Sequence, residues 1–225
     1  MHHPITRFLH RRKYEILLIA LVQHLFIGIF FIQISLYSEL LWAVNFIILG
    51  TSSVGIFIEK GRLKNVTLDI LFVIVLCLSI IMPFVRNAGF FYPLLGLTYV
   101  MFFSFIFREV LHFLLKPSYI NVDIIVAAAC GYFLLIEISV FLMMSIYCLD
   151  AHAFKGVNTT SMPATYFDFI YYCSLTFTCI GFGDILPNTH FTKLLTAFMA
   201  IAGQFYTVML VGILISKFSS KAEIK

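Results

Sequence analysis

Charge is what this chain lacks. Only 12% of its residues are charged against 61% hydrophobic, and the mean hydropathy is +1.01. No water-soluble core absorbs that share of apolar side chain, so the composition excludes a soluble domain and points to an integral membrane protein. The net charge of +4 does not argue for a nucleic-acid partner, because the basic residues sit at the ends of apolar runs rather than along one helix face. Internal repeats, low-complexity tracts and intramembrane clusters of His, Asp and Glu are also missing. A repeat-built secondary transporter therefore lacks its usual sequence mark, and a membrane enzyme lacks its catalytic groups. Cys77, Cys130, Cys148, Cys173 and Cys179 show neither metal spacing nor a pairing pattern and read as small core residues.

What is present is a set of long apolar runs. A membrane-spanning helix needs about 20 mostly apolar residues. Six segments qualify: Tyr14 to Tyr37, Glu39 to Ile58, Val66 to Val85, Phe90 to Leu115, Val122 to Leu149 and Phe191 to Phe218. The stretch between the fifth and sixth, Asp150 to His190, is too polar and too broken to span, so it reads as a re-entrant segment sheltered by protein or water. With a cytoplasmic N-terminus, the inner side receives Arg7, Arg11, Arg12, Lys13, Lys60, Arg62, Lys64, Arg108, Lys116, Lys217, Lys221 and Lys225, while the outer side receives only Arg86, Lys155 and Lys193. That asymmetry predicts both termini in the cytoplasm and the re-entrant segment in the outer half of the membrane. Few residues flank the six segments, so regulation is expected to come from membrane, lipid, pH, ions or a separate regulatory subunit.

The re-entrant segment contains Thr176-Phe-Thr-Cys-Ile-Gly-Phe-Gly-Asp184. Gly181 and Gly183 alternate with Ile180 and Phe182, and alternating glycines open backbone conformations closed to residues with a Cβ, so that successive carbonyls can face one narrow column. Cys179-Ile-Gly-Phe-Gly183 followed by Asp184 resembles the Thr-Val-Gly-Tyr-Gly-Asp selectivity filter of potassium channels, and the chain as a whole resembles the six-transmembrane, single-pore-loop superfamily of tetrameric, voltage-gated-like channels. The resemblance implies potassium ions held by Thr178, Cys179, Ile180, Gly181, Phe182 and Gly183, with no organic cofactor. Phe182 stands where the family has tyrosine, which leaves the carbonyl unchanged. Cys179 stands where the family has threonine, and a thiol is a soft, weak ligand for a hard cation. The innermost site is expected to be weakened and potassium selectivity largely kept.

Pro163 suits a helix first turn, and Ala164 to Thr176 gives about three turns whose C-terminal dipole end would face a cation on the pore axis. Tyr171 and Tyr172 fall where the family commonly carries two tryptophans, which implies a cuff around the filter and a Tyr171 to Asp184 hydrogen bond, with Asp184 also drawing cations to the outer mouth. The sixth segment resembles a voltage-gated inner helix. Gly203 lies at the family's hinge glycine, and Leu210-Val-Gly212 replaces Pro-Val-Pro, which makes Gly212 a second flexible point. Equal depth in adjacent antiparallel helices predicts a buried, protonated Glu137 hydrogen-bonded to Gln204 or to a backbone carbonyl. The same reasoning predicts a second pair, Asp69 with Arg108, at the cytoplasmic end.

The fourth segment has no arginine at every third position and carries only Arg108 before His112 and Lys116. It resembles a voltage-sensor helix without its sensor, so weak voltage dependence is expected. The expected protein is an all-α membrane protein with six transmembrane helices and a re-entrant pore helix and filter between helices five and six. Its divisions are a cytoplasmic N-terminus over 1–13, a four-helix bundle over 14–116, a pore domain over 117–218 with outer helix 122–149, pore helix and filter 163–184 and inner helix 191–218, and a tail over 219–225. The expected function is potassium conduction by a homotetramer in the lipid bilayer of a plasma membrane, with a prokaryotic inner membrane suggested by the small size. The alternatives are a nonselective monovalent cation channel, a secondary transporter or a non-conducting accessory subunit.

Overall fold

The computed structural model describes residues 12–30, 42–57, 62–81, 90–115 and 122–222. Segment ends expected at Tyr37, Glu39, Ile58 and Val85, and the outermost residues of both termini, lie outside that set. Seven helices fill the described residues: α1 Lys13–Phe26, continued by a 3-10 turn at Ile27–Phe30, α2 Trp42–Phe57, α3 Arg62–Ile81, α4 Phe91–Leu115, α5 Val122–Leu149, α6 Met162–Phe177 and α7 His190–Ala222. One small antiparallel ladder joins β1 Phe154–Lys155 to β2 Leu186–Pro187, with Phe154 opposite Pro187.

Six of the helices stand where the six apolar segments do, and α6 is the extra, shorter one between the fifth and sixth. Four reach spanning length and hydropathy: Lys13–Phe30, Phe91–Leu115, Val122–Leu149 and His190–Gly212. The apolar stretches of α2 and α3, Val44–Ser53 and Val66–Ile81, are shorter among the described residues. A multi-pass membrane protein follows, because a bilayer core of about 30 Å admits helices whose backbone groups are all internally bonded.

The helix faces follow from spacing. In α1, Tyr14, Leu17, Leu21, His24 and Leu25 are buried at intervals that bring them onto one stripe. In α5 the buried positions run around the whole circumference, from Ile124 through Leu134 and Val140 to Met144, as expected of a central helix. It packs against α1, α4, α6 and α7. The core is continuous across the expected division at residue 117: Phe46 of α2 stacks on Tyr99 of α4 at 4.2 Å between centroids, Tyr99 lies 4.4 Å from Phe141 of α5, and Phe141 lies 5.6 Å from Tyr166 of α6. Offset or tilted aromatic pairs at such distances supply packing that small aliphatic side chains could not.

Candidate functional site

Helix α6 begins and ends on recognisable caps. The Ser161 hydroxyl accepts from the Ala164 N–H at 3.3 Å, with Pro163 in the first turn, where its missing donor costs nothing. At the other end the Cys179 N–H donates to the Thr176 carbonyl at 3.1 Å and the Ile180 N–H reaches back to the Leu175 carbonyl at 2.9 Å. This pair of bonds closes a helix around a left-handed residue, a place usually filled by glycine. Here it is Cys179, at φ 57°.

The left-handed conformation then recurs at every second residue, with φ 55° at Gly181 and 81° at Gly183, whereas Ile180 and Phe182 keep negative φ. Alternating hands turn successive carbonyls to the same side, which an extended strand, with alternating carbonyls, cannot do. A Cβ added at Gly181 or Gly183 would meet nothing within 4 Å. The glycines therefore serve backbone conformation and not packing. Thr178 is exposed, and its hydroxyl donates to the Ser174 carbonyl at 2.9 Å.

Two tyrosines brace this run differently. Tyr171 donates its hydroxyl hydrogen to Asp184 Oδ2 at 2.7 Å, and its ring stacks near Phe182 at 6.4 Å. That bond, helped by the Ile185 N–H at 3.0 Å from Oδ1, holds the Asp184 carboxyl below the usual carboxylate range, and the same bond pushes the Tyr171 phenol up. Tyr172 turns inward, and its hydroxyl lies 2.7 Å from Thr196 Oγ1 on α7. It ties α6 to α7 rather than to Asp184.

Residues that the sequence reading passed over complete the frame. Gly156, at φ 85°, lies where a Cβ would strike the Asp184 carbonyl, so only glycine lets the β1 segment come this close to the outer end of the run. Asn188 donates to the carbonyls of Ala153 at 2.8 Å and His152 at 2.9 Å, and Thr192 Oγ1 donates to Ala153 at 3.0 Å. The signal for Gly156 was a lone glycine among polar residues, which only its tertiary neighbour distinguishes from an ordinary turn.

The inner helix α7 is 33 residues, about 50 Å long, and runs unbroken through Gly203 and Gly212. Gly203 faces the Phe177 ring, which a Cβ there would meet at 2.6 Å, while Gly212 has open space. Tyr206 donates to the Ala128 carbonyl at 2.8 Å and pins α7 to α5.

Neither expected buried pair forms. Glu137 does not meet Gln204: its Oε1 lies 2.6 Å from His24 Nδ1 of α1, and Gln204 Nε2 instead donates to Cys179 Sγ at 3.0 Å. Gln204 turns from α7 toward Cys179, whereas Glu137 turns from α5 toward α1. Asp69 and Arg108 are both exposed, and no ion pair joins them among the described residues. Asp69 sits off the buried stripe of α3 that carries Leu68 and Val75, and the charge that α4 buries is the neighbouring Glu109.

The site is one-sided in a single chain. Ile180 is 56% and Phe182 71% exposed, beside a run of exposed apolar residues on α7 at Phe191, Leu194, Phe198, Ile201, Phe205 and Val208. Those residues repeat at intervals of three and four, the spacing of a helix stripe meant for another surface. The chain matches no curated protein and no solved structure. Residues 124–220, somewhat under half of the chain, match the family model described as an ion channel, so the C-terminal region of this multi-pass membrane protein is an ion-channel pore domain and not an enzyme.

Proposed function

We propose that the chain is one subunit of a homotetrameric, potassium-selective channel that conducts passively through the run Thr178 to Gly183. The observation that carries this reading is the alternation of left-handed φ at Cys179, Gly181 and Gly183 directly after a capped helix. Alternation aims carbonyl oxygens at one axis, and rings of carbonyls replace the hydration shell of a potassium ion. One chain supplies only a quarter of such a ring, which accounts for the exposure of Ile180 and Phe182 and for the apolar stripe on α7. The α6 dipole adds a negative end at the inner mouth, and Asp184 adds a carboxylate at the outer one. Six spans, both termini in the cytoplasm of a plasma membrane, and no nucleic-acid partner complete the proposal.

A second reading, a nonselective monovalent cation channel, is favoured by one observation. Cys179 replaces a hydroxyl with a thiol, and Gln204 holds that thiol at 3.0 Å, so a hard oxygen ligand is absent from the innermost position. Ion-substitution recordings on protein reconstituted in planar bilayers separate the two readings, and cross-linking in the same liposomes tests the tetramer through a ladder that ends at four chains.

A further inference from the structure

Gln204 is the only side-chain amide on α7, and two close contacts decide where it points. One residue before it, Gly203 leaves room for the Phe177 ring at the end of α6, which a Cβ would meet at 2.6 Å. Two residues after it, the Tyr206 hydroxyl donates to the Ala128 carbonyl of α5 at 2.8 Å, in a seat that a Cβ at Gly131 would block. The first contact sets how near α7 stands to the start of the carbonyl run, and the second sets its rotation. Gln204, between them, is directed at Cys179, and its Nε2 donates to Sγ at 3.0 Å. The nearby Thr207 hydroxyl is folded back onto the Gly203 carbonyl at 3.0 Å and reaches no other helix. Among the described residues, the bond to Sγ is the one hydrogen bond of the Gln204 side chain. Gln204 and Cys179 are both exposed in the single chain, on the same side as the exposed Ile180 and Phe182.

An amide carries two unlike groups in one plane: its NH₂ donates, and its carbonyl oxygen accepts through two lone pairs. With Nε2 engaged by the thiol, Oε1 is the end left over, and amide planarity keeps it close to the same residue. That oxygen is hard, neutral and dipolar, the same kind of ligand as the backbone carbonyls of the run. A thiol is a soft and weak one. The residue that holds the thiol therefore carries the oxygen that the thiol lacks. An apolar side chain at 204 would have widened the stripe of Ile201, Phe205 and Val208, which are all exposed in one chain. A polar amide weakens that surface unless its oxygen has a partner of its own.

We infer that Gln204 is a selectivity-determining residue whose Nε2 holds the Cys179 thiol while its Oε1 supplies a hard oxygen ligand for a monovalent cation at the inner end of the run. The inference rests on the channel reading, in which four chains would bring four such oxygens together. It assigns α7 a part in the chemistry of the filter as well as in its support. It also accounts for a thiol at the position where the family has a hydroxyl: the ligand moves from the filter residue to the helix behind it.

The test uses the full chain in planar bilayers under opposed potassium and sodium gradients. In Gln204→Leu the ratio of potassium to sodium permeability is expected to fall about tenfold, the effect of one lost polar contact. Adding Cys179→Thr to Gln204→Leu is expected to return the ratio to the wild-type value, because the hydroxyl makes the amide oxygen dispensable. A packing role for Gln204 would not be rescued in that way. A Gln204→Leu ratio equal to wild type overturns the inference, as does a double variant no better than Gln204→Leu. Gln204→Glu serves if the leucine variant does not assemble: it keeps an oxygen of the same reach and loses the donor. It is expected to stay selective, and loss of selectivity there overturns the ligand role. Thermal unfolding in detergent supplies an arm that needs no current. Exchange of sodium for potassium is expected to raise the unfolding temperature of wild type, as a ligand of the folded state does, and to raise that of Gln204→Leu less; equal shifts overturn the site. A wild type that passes no cation current, or passes potassium and sodium alike, sinks the potassium-channel reading instead, and the thermal arm then decides the Gln204 site alone.

Discussion

Under the proposed channel reading, Asp184 and its partner Tyr171 set the acid tolerance of the outer mouth. The carboxyl is held below the usual carboxylate range because the Tyr171 hydroxyl donates to its charged form. A depressed carboxyl contributes its bracing fully above the ordinary value of about 4 and loses it only as pH falls through the lower folded value. Tyr171→Phe removes the donor, so external acid is expected to cut current at a higher pH in the variant than in wild type, which single-channel recording under an external pH series will measure. At the same scale, the Tyr171 to Asp184 bond was legible only through the family resemblance at those two positions. His24 with Glu137 was not, because 113 residues separate them and the polar residue on the buried stripe of α1 announces no partner.

Secondary-structure elements were legible wherever the signal was local. Pro163 marks the first turn of α6 in sequence as it does in space, since a helix start is decided within a few residues; the Ser161 cap and the left-handed Cys179 that closes the helix were not read. The rotation of one helix against another was not legible. Depth along the membrane can be counted at about 1.5 Å per residue, but azimuth depends on tertiary packing, which is why Glu137 meets His24 and Gln204 meets Cys179 rather than each other. The β1 and β2 ladder escaped for a related reason: two residues a side make no period. Its value to the site rests on Gly156, and Gly156→Ala is expected to destabilise the protein by at least about 1–2 kcal/mol, the ordinary cost of a left-handed residue with a Cβ, before the clash with the Asp184 carbonyl is added. Thermal unfolding in detergent, followed by fluorescence, checks the direction and the size.

Over the whole molecule, the first four helices and the pore domain share one aromatic core rather than meeting at a loose interface. The bundle therefore reads as a buttress for α5 and α6, consistent with a fourth helix that carries Arg108 on an exposed face and no ladder of charges. Moving an elementary charge across the full field is worth about 2.3 kcal/mol per 100 mV, so steep gating needs several charges per subunit. A shallow conductance-voltage relation is expected, and patch recording of reconstituted protein over a wide voltage range checks it. The measurement that bears most directly on the carbonyl column of Cys179 to Gly183 is the reversal potential under opposed potassium and sodium gradients. The account predicts a reversal potential that follows the potassium gradient and shifts with each change in it; a potential that stays near zero when potassium on one side is replaced by sodium would contradict it.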